Sequence, residues 1–306
     1  FFLRIYLYDT NKRRTSKMNT ESKIKEEVRE RYSNAVESGK GCCSSTCCLP
    51  EKNVTLPEGR VVQFAGYNQA ELASIPADAV INSFGCGNPL AFTGIQPGEV
   101  VLDIGSGAGI DCLLAAQKVG PAGRVIGIDM TPAMISKARE NARKAGASNT
   151  EFRQGDAESM PVENESADWI ISNCVINLSP NKPKVFREAF RVLKPGGRLS
   201  VSDIVVEKLP WILRRSSAIY CSCVGGAISE REYLHGLREA GFVDVQVTDR
   251  IVYDRDQVLG LLGDAACGSR SSKLFKAAVG ILVDRFVAGN IVSAKIVARK
   301  PSGHHV

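Results

Sequence analysis

The sequence predicts a doubly wound α/β fold, in which helices cover a mostly parallel sheet. Three observations support this prediction. From about residue 96, short apolar segments alternate with amphipathic ones. The first apolar segment runs into a glycine-rich turn, "GSGAG" at 105–109. Two further strand-like segments lie near the end of the chain. Alternation of this kind is typical of parallel sheets, because each helix returns the chain to the edge where the next strand begins.

The predicted elements follow one another in a regular order. Helices are expected at 110–120 and 131–146, the second with Thr131 as N-cap, Pro132 in its first turn and Gly146 at its end. The predicted strands are "GEVVLDI" (98–104), "GRVIGID" (123–129), "TEFRQGD" (150–156), "ADWIISN" (167–173), "GGRLSVSDIV" (196–205), "GFVDVQVTD" (241–249) and "NIVSAKIVARK" (290–300). The nucleotide-binding-type unit is therefore expected to span about 65–300, with an insertion at roughly 206–230 and a short tail at 301–306.

The N-terminal part has a different character. Residues 21–37 predict an amphipathic helix with one apolar stripe, formed by Ile24, Val28, Tyr32 and Val36. A cysteine-rich loop, "GCCSSTCC", follows at 41–48, so that 18–64 is interpreted as a separate N-terminal segment. Residues 1–17 carry +4 of the net charge of +6 and precede the first methionine, Met18. They are interpreted as a leader outside the native protein rather than as a basic interaction arm.

Composition narrows the function classes. Without the leader the chain is close to neutral, which argues against a nucleic-acid partner. The longest apolar runs, such as "AAVGILV" at 277–283, are far shorter than the roughly 18 to 20 residues of a membrane span. Ten cysteines without a secretory signal indicate a reducing, cytoplasmic setting. With three histidines in the chain, imidazole-based catalysis is poorly supplied.

The glycine loop favours a particular cofactor. Gly105, Gly107 and Gly109 allow a ligand to approach the backbone closely. Asp103, two residues before the loop, suits an ammonium group better than a pyrophosphate, and S-adenosylmethionine has an ammonium group and no phosphate. Asp129, at the end of the second strand, is expected to accept both ribose hydroxyls.

Two further segments strengthen this interpretation. In "GDAESMP" at 155–161, Asp156 and the Ala157 amide are expected to bind the adenine edge, and Asn173 is a candidate for the cofactor's amino group. Together with "DIGSGAG", Asp129 and "RVLKPGGRLSVSD", these motifs resemble the Rossmann-like S-adenosylmethionine-dependent methyltransferases over about 65–250. The resemblance implies S-adenosylmethionine as cofactor.

Cysteines stand at unusual positions for such a fold. Cys174 follows the fourth predicted strand, where ligands bind in parallel sheets, although a free cysteine is as often a small core residue. Cys86 stands between glycines in "FGCGNP", and Cys221 and Cys223 precede two glycines in "YCSCVGGA". Such glycines predict sulfur atoms that remain accessible. Cys112, beside Leu113 and Leu114, is expected to be core.

The segments "FGCGNP", "ISNCVINLSPNK" and "CVGGA", with "DIGSGAG" and "IDMTPAM", resemble the arsenite methyltransferases. The resemblance implies that Cys174 and Cys223 bind trivalent arsenic, and it adds Met130 to the cofactor region. Cys86 is implied as a third thiolate or as the redox partner of an N-terminal cysteine. The candidates for that cysteine are Cys42, Cys43, Cys47 and Cys48, which are interpreted as redox or arsenic-capture residues, with a separate metal site as the alternative.

The chemistry of arsenic agrees with this residue set. Trivalent arsenic is soft, so thiolates bind it well, and its lone pair can attack a methyl group without a general base. The expected substrate is arsenite or its glutathione conjugates, and glutathione or thioredoxin is the expected reductant, in arsenic detoxification. Two other functions stay open on sequence grounds: a small-molecule C- or O-methyltransferase of the quinone-modifying kind, and a thiol-rich metalloid-binding protein without turnover.

Overall fold

A computed structural model describes residues 21–34, 36–37, 67, 69–81, 87–90, 94–209, 220, 223–253 and 290–303. Within these ranges the chain forms a seven-stranded sheet. Its strands are β1 (Val100–Ile104), β2 (Arg124–Asp129), β3 (Thr150–Gln154), β4 (Ala167–Asn173), β5 (Leu193–Val206), β6 (Val243–Val252) and β7 (Ile291–Arg299). The spatial order is β3-β2-β1-β4-β5-β7-β6. Strands β1 to β5 run parallel, and β7 lies antiparallel between β5 and β6. The predicted fold class is confirmed.

Helices cover both faces of the sheet. The described helices are α1 (21–34), α2 (Gln69–Ala73), α3 (Ala77–Ile81), α4 (Ile110–Val119), α5 (Pro132–Lys144), α6 (Lys182–Val192) and α7 (Glu230–Glu239). Apolar residues of α4 and α5 pack in one buried cluster, with Val101 and Ile171 of the sheet. Residues of α6 and α7 pack in a second cluster, with Leu102 and Ile170. Neighbouring strand residues thus face opposite layers, as a two-sided buried sheet requires.

The predicted helix boundaries agree with the structure. Thr131 is the N-cap residue of α5 and Pro132 stands in its first turn, although the Thr131 side chain makes no capping hydrogen bond. Gly146, just past the end of α5, has a φ of +65°, the left-handed conformation that ends many helices. On α1, Val28 is buried, and Ile24 and Tyr32 pack against the same apolar cluster, as the stripe predicted.

Three features differ from the sequence prediction or extend it. Strand β5 begins at Leu193, three residues before the predicted start, because Leu193 pairs with Ala167 and an irregularity absorbs the following Pro-Gly-Gly. Helix α7 was not predicted, although its capping box, Ser229 with Glu232, is a sequence signal for a helix start. The predicted insertion lies between β5 and α7, and much of it is outside the described residues, as are the predicted leader and the cysteine-rich loop.

A third apolar cluster lies at the carboxyl ends of the parallel strands. It joins Val28 of α1 to Cys174 after β4 and to Cys223 before α7. Strand order reverses between β1 and β4, and ligands in such sheets bind at this point. In the part of the chain that is described, no helix is long and apolar enough to cross a bilayer.

Candidate active site

A cavity opens at the point where the strand order reverses. The space it encloses, counted together with the open solvent at its mouth, is about 960 Å³. It is lined by residues of the loop after β1, the end of β2, the loop after β3, the segment after β4, and helix α1. The lining residues include Lys25, Val28, Tyr32, Gly105, Ser106, Gly107, Asp111, Asp129, Met130, Asp156, Ala157, Asn173, Cys174, Val175 and Ser179.

The glycine loop has a left-handed backbone at Gly105 and Gly107, with φ values of +76° and +50°. The Gly105 and Ser106 amides both donate to the Ile128 carbonyl at the end of β2, at 2.8 and 2.9 Å. A side chain at position 105 would collide with Val175, whereas nothing lies within 4 Å of one at position 107. Ser106 Oγ is buried and has no partner among the described residues. The loop therefore leaves space and one unpaired hydroxyl beside the cavity.

Asp129 lies where the sequence placed it. One carboxylate oxygen accepts from the Thr131 amide at 2.8 Å and the other from the Gly107 amide at 3.1 Å. Burial raises the pKa of Asp129, while these two amides act in the opposite direction. The Thr131 side chain also donates to Asp129. A carboxylate offers about four acceptor sites, so roughly one remains for a hydroxyl donor of a ligand. This geometry suits a ribose.

Asp103 does not have the position that the sequence suggested. The prediction placed its carboxylate at the ammonium group of the cofactor. In the structure Asp103 is 1% exposed, does not line the cavity, and accepts from the Cys112 thiol at 3.3 Å. Burial, together with the nearby Asp111 carboxylate, raises its pKa well above the usual range. The reason is that Asp103 stands inside β1, where its side chain faces α4 rather than the ligand.

Asp111, in the first turn of α4, lines the cavity instead. Its oxygens accept from the Tyr67 hydroxyl at 2.6 Å and from Asn173 Nδ2 at 3.3 Å. Burial raises the pKa of Asp111 to about 6, so it is ionised above that pH. Asn173 also exchanges two hydrogen bonds with the backbone of Gly87, so its amide is fixed by protein groups on both ends.

The sequence did not identify Asp111 or Tyr67 as residues of this site. An acidic residue in the first turn of a helix is normally explained by the helix dipole, so its position alone does not indicate a ligand-binding role. Tyr67 contacts Asp111 across 44 residues, a distance over which no local pattern carries information.

The cavity has a negative lining. Its described lining residues include three carboxylates, those of Asp111, Asp129 and Asp156, against one ammonium group, that of Lys25. A dinucleotide would bring a pyrophosphate to these carboxylates, whereas S-adenosylmethionine would bring a sulfonium and an ammonium. The free space at Gly107 and the charge of the cavity therefore fit S-adenosylmethionine.

The loop after β3 presents Asp156 and Ala157 to the cavity, as predicted. One oxygen of Asp156 accepts from the Glu158 amide at 2.9 Å, and the other accepts from Lys25 Nζ at 2.6 Å. The lysine belongs to α1, and no local pattern in the sequence indicates that this helix reaches the cavity.

Cys174 and Cys223 meet beside this cavity. Cys223 Sγ lies 3.0 Å from the Cys174 carbonyl oxygen and donates to it. Both residues have left-handed backbone, with φ values of +60° and +64°. Non-glycine residues rarely adopt this conformation, which costs roughly 1 kcal/mol or more for each and occurs often at functional sites. Cys174 also lines the cavity.

The state of the thiols differs between positions. Cys112 is a free thiol, the Cys223 thiol donates to the Cys174 carbonyl, and Cys174 is disulfide-bonded. The expectation of an accessible sulfur at Cys223 was wrong. This residue is 4% exposed, because Leu178, Val224 and neighbouring apolar residues close around it. Cys112 is fully buried on α4, as expected.

Six further cysteines with a predicted role lie outside the described residues: Cys42, Cys43, Cys47, Cys48, Cys86 and Cys221. Among the described residues, no three His, Cys, Asp or Glu side chains are grouped as metal ligands. The described part of the site therefore contains two of the three predicted arsenic ligands.

Comparison with known proteins agrees with the site. Residues 95–241 match the family profile described as a methyltransferase domain, and the chain is a methyltransferase of the Rossmann-like α/β class. It belongs to the arsenite methyltransferase family. The arsenite methyltransferase of Halobacterium salinarum is 41% identical over 288 residues, which cover 91% of this chain and 67% of that protein.

Two further relatives support this assignment. The arsenite methyltransferase of Aquipseudomonas alcaligenes is 35% identical, over 82% of this chain and 72% of its own length. The crystal structure of an arsenic(III) S-adenosylmethionine methyltransferase from Chlamydomonas reinhardtii matches with a TM-score of 0.60 and 33% identity, over 78% of this chain and 74% of that one. The family resemblance inferred from the motifs is confirmed.

Proposed function

We propose that this chain transfers methyl groups from S-adenosylmethionine to trivalent arsenic held by its own thiolates. The observation that carries the proposal is the meeting of Cys174 and Cys223 at the edge of a cavity suited to that cofactor. Membership of the arsenite methyltransferase family supports the same substrate. Neither a quinone-modifying enzyme nor a metalloid carrier without turnover needs both features together.

The third ligand is proposed to be Cys86. Gly87, the residue after it, exchanges two hydrogen bonds with Asn173, the residue before Cys174. This pairing of flanking residues supports a three-thiolate site formed by Cys86, Cys174 and Cys223. Three thiolates match the pyramidal preference of trivalent arsenic and leave its lone pair free.

The protein's contribution to the reaction is placement. When bound, S-adenosylmethionine supplies an electrophilic methyl group. Asp129 is proposed to hold the ribose, Asp156 and Ala157 the adenine, and Asp111 the ammonium, while Gly105, Gly107 and Met130 shape the walls. The thiolates are proposed to hold arsenic at the edge of this cavity. The lone pair of arsenic is the nucleophile, so no side chain has to accept a proton.

Electron balance requires a reductant. Methyl transfer takes arsenic from the trivalent to the pentavalent state, and two electrons from a pair of thiols return it, leaving a disulfide. Cys174 is disulfide-bonded in the structure, and it must become a thiol before it can bind arsenic. Glutathione or thioredoxin, in a reducing cytoplasmic setting, is the proposed source of electrons, and arsenic detoxification is the proposed role.

The test is formation of S-adenosylhomocysteine by the purified protein with glutathione, with and without arsenite, and with arsenic products separated by chromatography. We expect turnover only with arsenite, and loss of methylated arsenic in Cys174→Ser. Turnover that does not depend on arsenite, or normal turnover in that variant, would contradict the proposal.

A further inference from the structure

Helix α1 forms one wall of the cofactor cavity. Lys25, Val28 and Tyr32, which are three and four residues apart, all line it. Residues at this spacing share one face of a helix, so the same face that packs on the apolar cluster also faces the ligand. The cavity is therefore bounded partly by a segment outside the methyltransferase domain at 95–241.

Lys25 joins this helix to the loop after β3. Its ammonium group lies 2.6 Å from Asp156 Oδ2 and 2.9 Å from Glu158 Oε2. The Lys25 side chain is 26% exposed and that of Glu158 is 5% exposed, so this is not an ordinary surface pair. Burial alone would lower the pKa of Lys25, but hydrogen bonds and charges of the two carboxylates outweigh it and raise the pKa. Lys25 therefore stays charged at physiological pH.

The Asp156 carboxylate is fixed from two sides. The Glu158 amide holds one oxygen and Lys25 holds the other. A carboxylate on a loop would otherwise rotate, and a rotating acceptor costs side-chain entropy when a ligand binds. Lys25 removes that cost in advance.

Glu158 extends the connection to the segment after β4. Its second oxygen accepts from Ser179 Oγ at 2.7 Å and from the Asn181 amide at 3.3 Å. Ser179 lines the cavity and lies five residues after Cys174. Through these contacts α1, the loop after β3 and the segment after β4 form one hydrogen-bonded unit.

We infer that Lys25 is a positioning residue for the cofactor, which seats α1 as a wall of the cavity and orients the Asp156 carboxylate toward the adenine. The inference rests on the proposed use of S-adenosylmethionine. It assigns to the N-terminal helix a direct part in cofactor affinity, and none in the affinity for arsenite.

The chain provides a matched control. Lys23 is on the same helix, its side chain is 77% exposed, and its described ion pair is with Glu27 of that helix. Lys23→Met and Lys25→Met remove the same charge with the same change of shape, but only the second breaks the contact with Asp156 and Glu158. Lys25→Arg keeps the charge and is the conservative variant.

Titration calorimetry with S-adenosylhomocysteine, and Michaelis constants for both substrates, test the inference. We expect the dissociation constant and the KM for S-adenosylmethionine to rise about tenfold in Lys25→Met, equivalent to roughly 1.4 kcal/mol. The KM for arsenite should stay within about twofold of that of the wild type. Lys23→Met should match the wild type, and Lys25→Arg should recover most of the affinity.

The outcomes separate the two proposals. A wild-type protein that fails to bind S-adenosylhomocysteine would overturn the proposed function. A wild-type protein that binds it, with equal affinity in Lys25→Met, would overturn only the role of Lys25. If Lys25→Met does not fold, hydrogen exchange on the wild type decides: cofactor should slow amide exchange in 21–34, and unchanged exchange there would refute the inference.

Discussion

Replacing Gly105 by alanine should destabilise the protein more than the same change at Gly107, while only the change at Gly107 should act directly on the cofactor. Both glycines have left-handed backbone in the loop that lines the cavity. A Cβ at position 105 would lie 2.1 Å from Val175 Cγ2 and 2.7 Å from Val175 Cβ. A Cβ at position 107 would meet no atom of the described residues within 4 Å, apart from those of its neighbours in the chain.

The magnitudes follow from these distances. Left-handed backbone costs an alanine roughly 1 to 2 kcal/mol at either position. At Gly105 the collision adds about 1 to 3 kcal/mol, and rotation of Val175 cannot relieve it because its Cβ is also too close. We therefore expect a loss of roughly 2 to 5 kcal/mol in Gly105→Ala against 1 to 2 kcal/mol in Gly107→Ala. At Gly107 the new methyl group occupies ligand space, and cofactor affinity should fall at least tenfold, about 1.4 kcal/mol.

Gly146 supplies the control for backbone strain alone. Its φ is +65°, a Cβ there has no neighbour within 4 Å, and it lies at the end of α5, outside the cavity lining. Urea unfolding without ligand gives the stability of all three alanine variants, and calorimetry with S-adenosylhomocysteine gives the affinity. Equal stability of the Gly105 and Gly107 variants, or cofactor affinity in Gly107→Ala equal to that in Gly146→Ala, would refute the reasoning.

Three further predictions concern Cys223, the glycine at position 226, and Asp203, a buried residue of β5. Cys223→Ser should abolish arsenite-dependent turnover without changing the affinity for S-adenosylhomocysteine. As a control, Cys112→Ser should keep turnover within about twofold of the wild type. Activity assays and calorimetry, run in parallel, compare the two variants. In Gly226→Ala, the new Cβ would lie 2.0 Å from the Asn177 carbonyl oxygen, so the segment that contains Cys223 must shift. The KM for arsenite should therefore rise about tenfold, without loss of cofactor affinity. Burial raises the pKa of Asp203 to about 7, so the folded state keeps a proton that the unfolded state loses near pH 4. Stability from this residue therefore falls as the pH rises from 4 to 7. In Asp203→Asn, the slope of the unfolding free energy against pH, measured by urea unfolding across that range, should become more positive. An unchanged slope would contradict the raised pKa of Asp203.

Much of the sheet and of the cofactor loop could be predicted because the signals are local. Buried parallel strands appear as short apolar runs, and the carboxyl end of each strand lies next to it in the sequence. That is why Asp129, Asp156 and the glycine loop were placed correctly at the cavity. The same reasoning failed for Asp103, because a residue inside a strand can face either layer of the sheet, and packing decides which.

The sequence by itself determined the α/β class, the cofactor loop and the family, since each depends on short motifs and on their order. Only the tertiary structure decided which carboxylate reaches the cavity, that Lys25 lies against Asp156 131 residues away, and that Cys223 meets Cys174 across 49 residues. It also decided that both cysteines adopt a left-handed backbone and that Cys223 is buried. Contacts between distant segments and unfavourable backbone angles are held in place by packing from several elements at once, and no local pattern in the chain records them.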